Sequence, residues 1–254
     1  MGNLIINADD WGRDRENTER IHDCLVKGTV SSVSAMVFMD DSERAGDLAC
    51  QENVDAGLHL NFTTPFSAKK VPARLHEHHQ RVMRYLGRNR LAQVIYHPGL
   101  ANSFKYVVAS QLDEFQRIYR AAPRRLDGHH HMHLSANVML GKLLPPGTIA
   151  RRNFSFRAGE KGLLNRLYRN VLDNRLKRRH RLVDYFYSLA PLEPRDRLDR
   201  IVELARQFVV EVETHPVKEV EYQFLMGDDV TRWTRGSQIA KGYIVPNFAN
   251  DVKK

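Results

Sequence analysis

The sequence predicts an α/β fold built on a parallel sheet, and two observations carry that prediction. Short apolar runs of strand length alternate with segments of helical periodicity, and each polar cluster of the chain falls where an apolar run ends. The length of 254 residues suits one large domain, since α/β barrels run to roughly 200–250 residues as a single unit.

The first unit opens with Asn3 to Asn7, an apolar run that stops at Ala8-Asp9-Asp10-Trp11-Gly12, a string suited to a loop. Ile21, Cys24 and Leu25 then fall at i, i+3 and i+4, with Gly28 where a helix would end. Ser34 to Met39 reads as the second strand, and Ala45, Leu48 and Ala49 mark the face of the helix after it. Asp55 to Leu60 reads as the third strand, running into the polar set His59, Asn61 and Thr63. Residues 64 to 107 break the rhythm with scattered Pro, Gly and His, and read as an insertion or lid in which His76, His78 and His79 form a solvated surface.

Periodicity returns with Leu112, Phe115, Ile118 and Tyr119, and Arg124 to Asp127 reads as a short strand entering Gly128 and a run of histidines. Thr148 to Arg152 and Leu182 to Phe186 read as further strands. Between them lies a basic helix from about Lys161 to Lys177, with Leu163, Leu167 and Val171 as its buried stripe. Leu198, Ile201, Val202 and Ala205 mark a helix before the final strand, Phe208 to Thr214. No pattern assigns the residues from Tyr222 onward. With no internal repeat, low-complexity tract or linker, residues 1–254 read as a single domain with the insertion at about 64–107.

A hydrophobic fraction of 42% and a charged fraction of 27% exclude wholesale disorder. The two cysteines, Cys24 and Cys50, form no CxxC pair, so neither a disulfide framework nor a cysteine zinc site is supported, and a reducing cytoplasm is the expected location. The N-terminus lacks the features of a secretory leader, and no stretch approaches the roughly 18 apolar residues of a membrane span, which leaves at most a peripheral membrane association. A net charge of +9 favours anionic partners. No nucleic-acid-binding signature accompanies the basic run Arg166, Arg169, Arg175, Lys177, Arg178, Arg179 and Arg181, however, so nucleic acid is not expected and the run reads as a solvated face. A homodimer is left open.

Four polar clusters sit at strand ends: Asp9 and Asp10; His59 and Asn61; Asp127 with His129, His130, His131 and His133; and Glu213 with His215. Parallel sheets collect their sites there. One carboxylate and two imidazoles can hold a divalent zinc, iron or magnesium ion with positions left open for water and substrate. Neighbouring aspartates point opposite ways along a strand, so one can ligate while the other takes a proton from the attacking water, with His215 as the acid. Spacing does not choose among His129, His131 and His133. Each piece alone is weak, because Asp-Asp at a strand end is commonly a turn or a helix cap. The same ligand set serves non-haem iron oxygenases, and an inactive glycan-binding module would keep the same fold.

Taken in order, Asn7-Ala8-Asp9-Asp10-Trp11-Gly12, Gly57-Leu58-His59-Leu60-Asn61, Leu126-Asp127-Gly128-His129-His130-His131-Met132-His133 and Glu213-Thr214-His215-Pro216 resemble the YdjC-like carbohydrate deacetylases, which include chitooligosaccharide deacetylases. The resemblance implies a distorted (β/α) barrel related to polysaccharide deacetylases. It implies one divalent ion, magnesium or zinc, on Asp10, His59 and His129, with Asp9 as base and His215 as acid. It implies that Asp127 orients a neighbour or touches substrate, and that Arg151 positions the catalytic aspartate, although Arg152 is equally available. Trp11, Asn61 and His131 are carried over as substrate-binding or supporting positions. Trp11 replaces the family's usual Phe and is expected to wall the sugar pocket. Residues from Pro65 to Tyr106 match the family poorly and are expected to form the substrate-selecting lid. The implied substrate is an N-acetylated amino sugar or short glycan.

Overall fold

Seven strands, β1 (Asn3–Trp11), β2 (Ser32–Ala35), β3 (Ala56–Leu60), β4 (Arg125–Gly128), β5 (Ile149–Ala150), β6 (Tyr185–Ser188) and β7 (Val209–Thr214), make one parallel sheet in the order β5-β4-β3-β2-β1-β7-β6. The computed structural model describes residues 2–88, 90–156, 160, 162–234 and 238–244. Nine α-helices are described: α1 (Arg15–Lys27), α2 (Ser42–Glu52), α3 (Ala73–Leu86), α4 (Ala101–Tyr119), α5 (Ala136–Leu140), α6 (Leu163–Lys177), α7 (Asp196–Ala205), α8 (Glu219–Met226) and α9 (Asp229–Thr234). The sheet curls into a half-barrel. Beside its edge strand β5, Ala150 N–H donates to the Arg181 carbonyl at 3.0 Å and Arg181 N–H donates to Thr148 at 3.1 Å. Ile5, Ile149, Val183, Phe186 and Val209 fill the space enclosed. This is the α/β architecture expected, with the barrel distorted as the resemblance implies.

Central strands buried on both faces read as continuous apolar runs, and β1 is buried from Leu4 to Trp11. The first strand does not stop at Asn7. It runs on to Trp11 with an irregular register between Ala8 and Trp11, and Gly12 at φ 82° turns the chain so closely over α2 that a Cβ would stand 3.2 Å from that of Ala45. Asp14 caps α1 by accepting from Asn17 N–H at 2.9 Å, and Gly28 closes it at φ 78°. The second strand is Ser32–Ala35 rather than Ser34 to Met39, for the chain leaves extended geometry by Phe38 at φ 59°.

Three expectations need correction. Residues 64–107 are not chiefly irregular: α3 lies inside them, and buries Leu75, His79, Val82 and Leu86 against α4. His79 is accordingly not a solvated side chain, since it is buried and packs 4.1 Å, centroid to centroid, from the Phe66 ring. On α6 the stripe Leu163, Leu167 and Val171 faces outward, and the residues it buries are Asp173 and Leu176. The chain after Tyr222, unreadable from its pattern, completes α8, forms α9, and returns to β1 through a bridge between Ile239 and Leu4.

Candidate active site

The carboxyl ends of β1, β3, β4 and β7 bring the four clusters together. The alternation expected to point Asp9 and Asp10 apart fails because Asp10 stands at φ 70°, a left-handed conformation uncommon for a residue with a Cβ. Both carboxylates therefore face His59: Asp9 Oδ2 lies 4.0 Å and Asp10 Oδ1 3.5 Å from its Nε2. His129 Nδ1 lies 2.9 Å from the same Asp10 Oδ1. His130 and His131, at φ 53° and 58°, make the turn that sends the rest of the histidine run elsewhere.

Asp10, His59 and His129 each place a ligand atom within 4.8 Å of the others. Asp10 Oδ1 is nevertheless buried with no well-aligned hydrogen bond to either ring. Donor atoms that converge without bonding one another suit a shared cation, and the set of one carboxylate and two imidazoles fits a divalent metal. His59 Nδ1 is 2.7 Å from Asp127 Oδ1, so the ring donates its N–H there and turns Nε2 toward Asp10, the usual support for a ligating histidine. The residues Asp9, His59 and Asp127 form an overlapping group of the same kind.

The electrostatics point the same way. Burial pushes His59 down, but Asp9, Asp10 and Asp127 outweigh it and raise the imidazole to about 10. Positive charge is favoured at this point. Burial would raise Asp10, yet His129 and His59 hold it well below the usual carboxylate range. Asp9 is likewise held low, against burial, chiefly by Arg151 and then His59. Glu213 goes the other way, raised well above its ordinary value by burial and by the Asp9 charge.

Arg151, fully buried, donates from both terminal nitrogens to the two oxygens of Asp9 at 2.7 Å each, and from Nε to Glu211 at 2.8 Å. Arg152 instead pairs with Asp173 at 2.8 Å, so of these two arginines it is Arg151 that contacts Asp9. His133 sits 2.9 Å from the Arg151 carbonyl, and His131 packs its edge on Phe154 and Phe186, 3.7 Å from Glu213. Among the described histidines of the run, only His129 joins the cluster. His215 follows β7, where burial lowers it against the opposing charges of Asp9 and Asp10, and its Nδ1 is buried without a partner.

Two expected positions lie elsewhere. Trp11 is not a pocket wall: it is fully buried and its indole N–H donates to Ala45 of α2 at 3.1 Å. Asn61 is spent on its own loop, with Oδ1 accepting from Thr63 and Thr64 N–H and Nδ2 donating to Thr64 carbonyl at 2.7 Å.

The family model described as YdjC-like protein matches residues 3–235. This chain belongs to the YdjC-like family. The mouse protein named carbohydrate deacetylase is 27% identical over 139 residues, covering 53% of this chain and 44% of that protein. The chitooligosaccharide deacetylase of Proteus mirabilis (strain HI4320) is 28% identical over 131 residues, covering 52% of this chain and 50% of its own. The matched region spans about half the length of these curated relatives. A crystal structure of a putative cellobiose-phosphate cleavage protein from Enterococcus faecalis V583 superposes with a TM-score of 0.66 at 15% identity, covering 94% of this chain and 96% of that one. That likeness speaks for the fold.

In this YdjC-like chain a cavity of about 370 Å³ opens at the His130–His131 turn that follows His129. It is lined by His130 and His131, by Gln93 and Val94 from the 64–107 segment, by Phe154, and by Tyr168 and Arg169 of α6. The segment expected to act as a lid thus contributes one wall. Sequence reasoning missed the floor of the site. Ser34 donates to Asp127 at 2.5 Å, Arg125 lies 3.3 Å from the same carboxylate, Asn7 donates to Asp9 at 2.8 Å, and the Tyr243 hydroxyl donates to Glu211. A signal did exist in β7, where Glu211 and Glu213 stand two apart in a wholly buried strand and so share one face.

Proposed function

We propose that this protein is a metal-dependent hydrolase that removes the N-acetyl group from an amino sugar or short N-acetylated glycan. The observation that carries the reading is the convergence of Asp10, His59 and His129 within 4.8 Å, with Asp9 beside them. The names of the mouse and Proteus relatives support the substrate class.

Asp10, His59 and His129 would hold one ion, zinc or magnesium, which when bound acidifies water and polarises the acetamide carbonyl. Asp9 takes the proton of the attacking water at Oδ2, the oxygen facing the ligand cluster. Arg151 fixes that carboxylate bidentately and keeps it ionised. His215, its proton made labile by burial, protonates the departing amine nitrogen. Asp127 holds the orientation of His59, and the products are acetate and a free amino sugar.

The test is acetate release from a panel of N-acetylated mono-, di- and oligosaccharides, with and without chelator and in the absence of oxygen. Chelator-sensitive anaerobic release supports the reading; an oxygenase sharing the ligand set would need O₂. No release from any member of the panel removes the proposed activity.

A further inference from the structure

Helix α6 is held to the molecule along one side, where buried Asp173 pairs with Arg152 and Leu176 enters the core. Its opposite side carries Leu163, Leu164, Leu167, Tyr168 and Val171, each between 41% and 82% exposed. At 3.6 residues per turn these five share one arc of about 140°. The surface continues past the cavity mouth, because exposed Val94 lines the same cavity as Tyr168. Solvated helices do not ordinarily present such a face to water.

Charge indicates what covers it. Arg175, Lys177 and Arg178 are exposed at the end of the helix, and with Arg166 they form no ion pair among the described residues. The one acid of α6, Asp173, is buried and paired. A second copy meeting this face about a two-fold axis would oppose the same patch to itself, and α6 brings no free acid to answer the basic groups of its copy. An anionic lipid surface satisfies both halves of the face. Leucines on one side and Lys and Arg beside them are the composition of a helix that lies in a membrane interface, and the chain's net charge of +9 acts in the same direction.

We infer that α6 docks this protein on the surface of an anionic bilayer. Leu163, Leu164, Leu167 and Val171 enter the boundary between headgroups and acyl chains, while Arg175, Lys177 and Arg178 meet lipid phosphates. The cavity flanked by Tyr168 and Arg169 then opens at headgroup level.

Co-sedimentation with vesicles of phosphatidylcholine alone, and of phosphatidylcholine mixed with phosphatidylglycerol, tests this directly. The expected result is binding at least about tenfold stronger to the anionic vesicles and weakening with salt, given the usual contribution of each basic side chain near such a surface. The double variant Leu164→Asp/Leu167→Asp should lose binding while keeping the wild-type unfolding temperature, because both side chains are exposed. Charge reversal by Arg175→Glu/Lys177→Glu should remove the preference for phosphatidylglycerol. Equal binding to both vesicles, no binding, or unchanged binding by the double variant overturns the inference. So does sedimentation velocity showing a dimer that the Leu164→Asp/Leu167→Asp variant splits, with vesicles left unbound.

Discussion

The floor of the site buries charges and α6 exposes leucines, and what holds the two inversions in place differs. Beneath the cluster the described buried charges meet opposite charges or hydrogen-bond donors: Arg151 meets Asp9 and Glu211, and Asp127 meets Ser34, Arg125 and His59. Charges taken from water are tolerated only as such a closed set, since an unanswered one costs several kcal/mol. On α6 the leucines stand exposed, with no cover among the described residues. On the two proposed roles, function and stability are coupled at the floor and separate on the helix.

The comparison breaks most severely at the ligand cluster. Under the proposed function, Asp10→Ala or His129→Ala should lower acetate release by about 10³-fold or more, since an ion that activates water would supply several kcal/mol to the reaction. Bound metal, counted by elemental analysis, should fall with the rate. A variant that kept both metal and rate would separate this cluster from the chemistry.

Arg151→Met attacks the floor itself. It leaves the buried carboxylates of Asp9 and Glu211 without their cation and should destabilise the fold by about 3–5 kcal/mol in urea unfolding. Arg152→Met is the control. Its side chain is mostly buried, with one ion pair to Asp173 and hydrogen bonds to the Val183 and Asp184 carbonyls, but Asp173 keeps two hydrogen bonds from Asn153 without it, so the change should cost about 1–3 kcal/mol and leave the acetate-release rate nearly intact. Equal losses from the two would mean that the closed network confers nothing special.

These two arginines also show how far the sequence could be read. The alternation of elements, the Gly28 cap and the clustering of polar residues at strand ends were legible because each is a local pattern. Choosing Arg151 over Arg152, or His129 over His131 and His133, was not legible from spacing. A strand two residues long and a turn with two left-handed histidines decide those directions. The outward face of α6 is hidden from the sequence for a related reason: periodicity reveals an apolar stripe but not whether anything packs on it. Tyr243 reaches Glu211 from a C-terminal stretch whose own pattern is uninformative.

His79 sharpens the contrast between burial with and without an answering charge. It occupies an apolar slot of α3, where burial and then the nearby His76 push it down to about 4. The sign follows from proton counting. Between about pH 6.5 and 4 the unfolded chain binds a proton that the folded one refuses, so stability falls as pH drops through that window and levels off below it. His79→Leu keeps the volume and removes the proton. It should abolish on the order of 2–3 kcal/mol of the acid destabilisation expected between pH 7 and pH 4, as read by chemical unfolding at the two pH values. An unchanged difference between the two pH values would assign that loss to other buried histidines.

The smallest expected effect is the most discriminating for α6. Leu167→Ser removes a large apolar side chain from a position 59% exposed, and its loss should change folding stability by no more than about 0.5 kcal/mol. Leu176→Ala, on the same helix but buried, should cost about 2–4 kcal/mol by leaving a cavity. Chemical denaturation of the two variants beside the wild type gives both numbers under one condition. If Leu167→Ser were as costly as Leu176→Ala, α6 would be packing its outer face on part of this same chain, and that face would belong to the core rather than to an external surface.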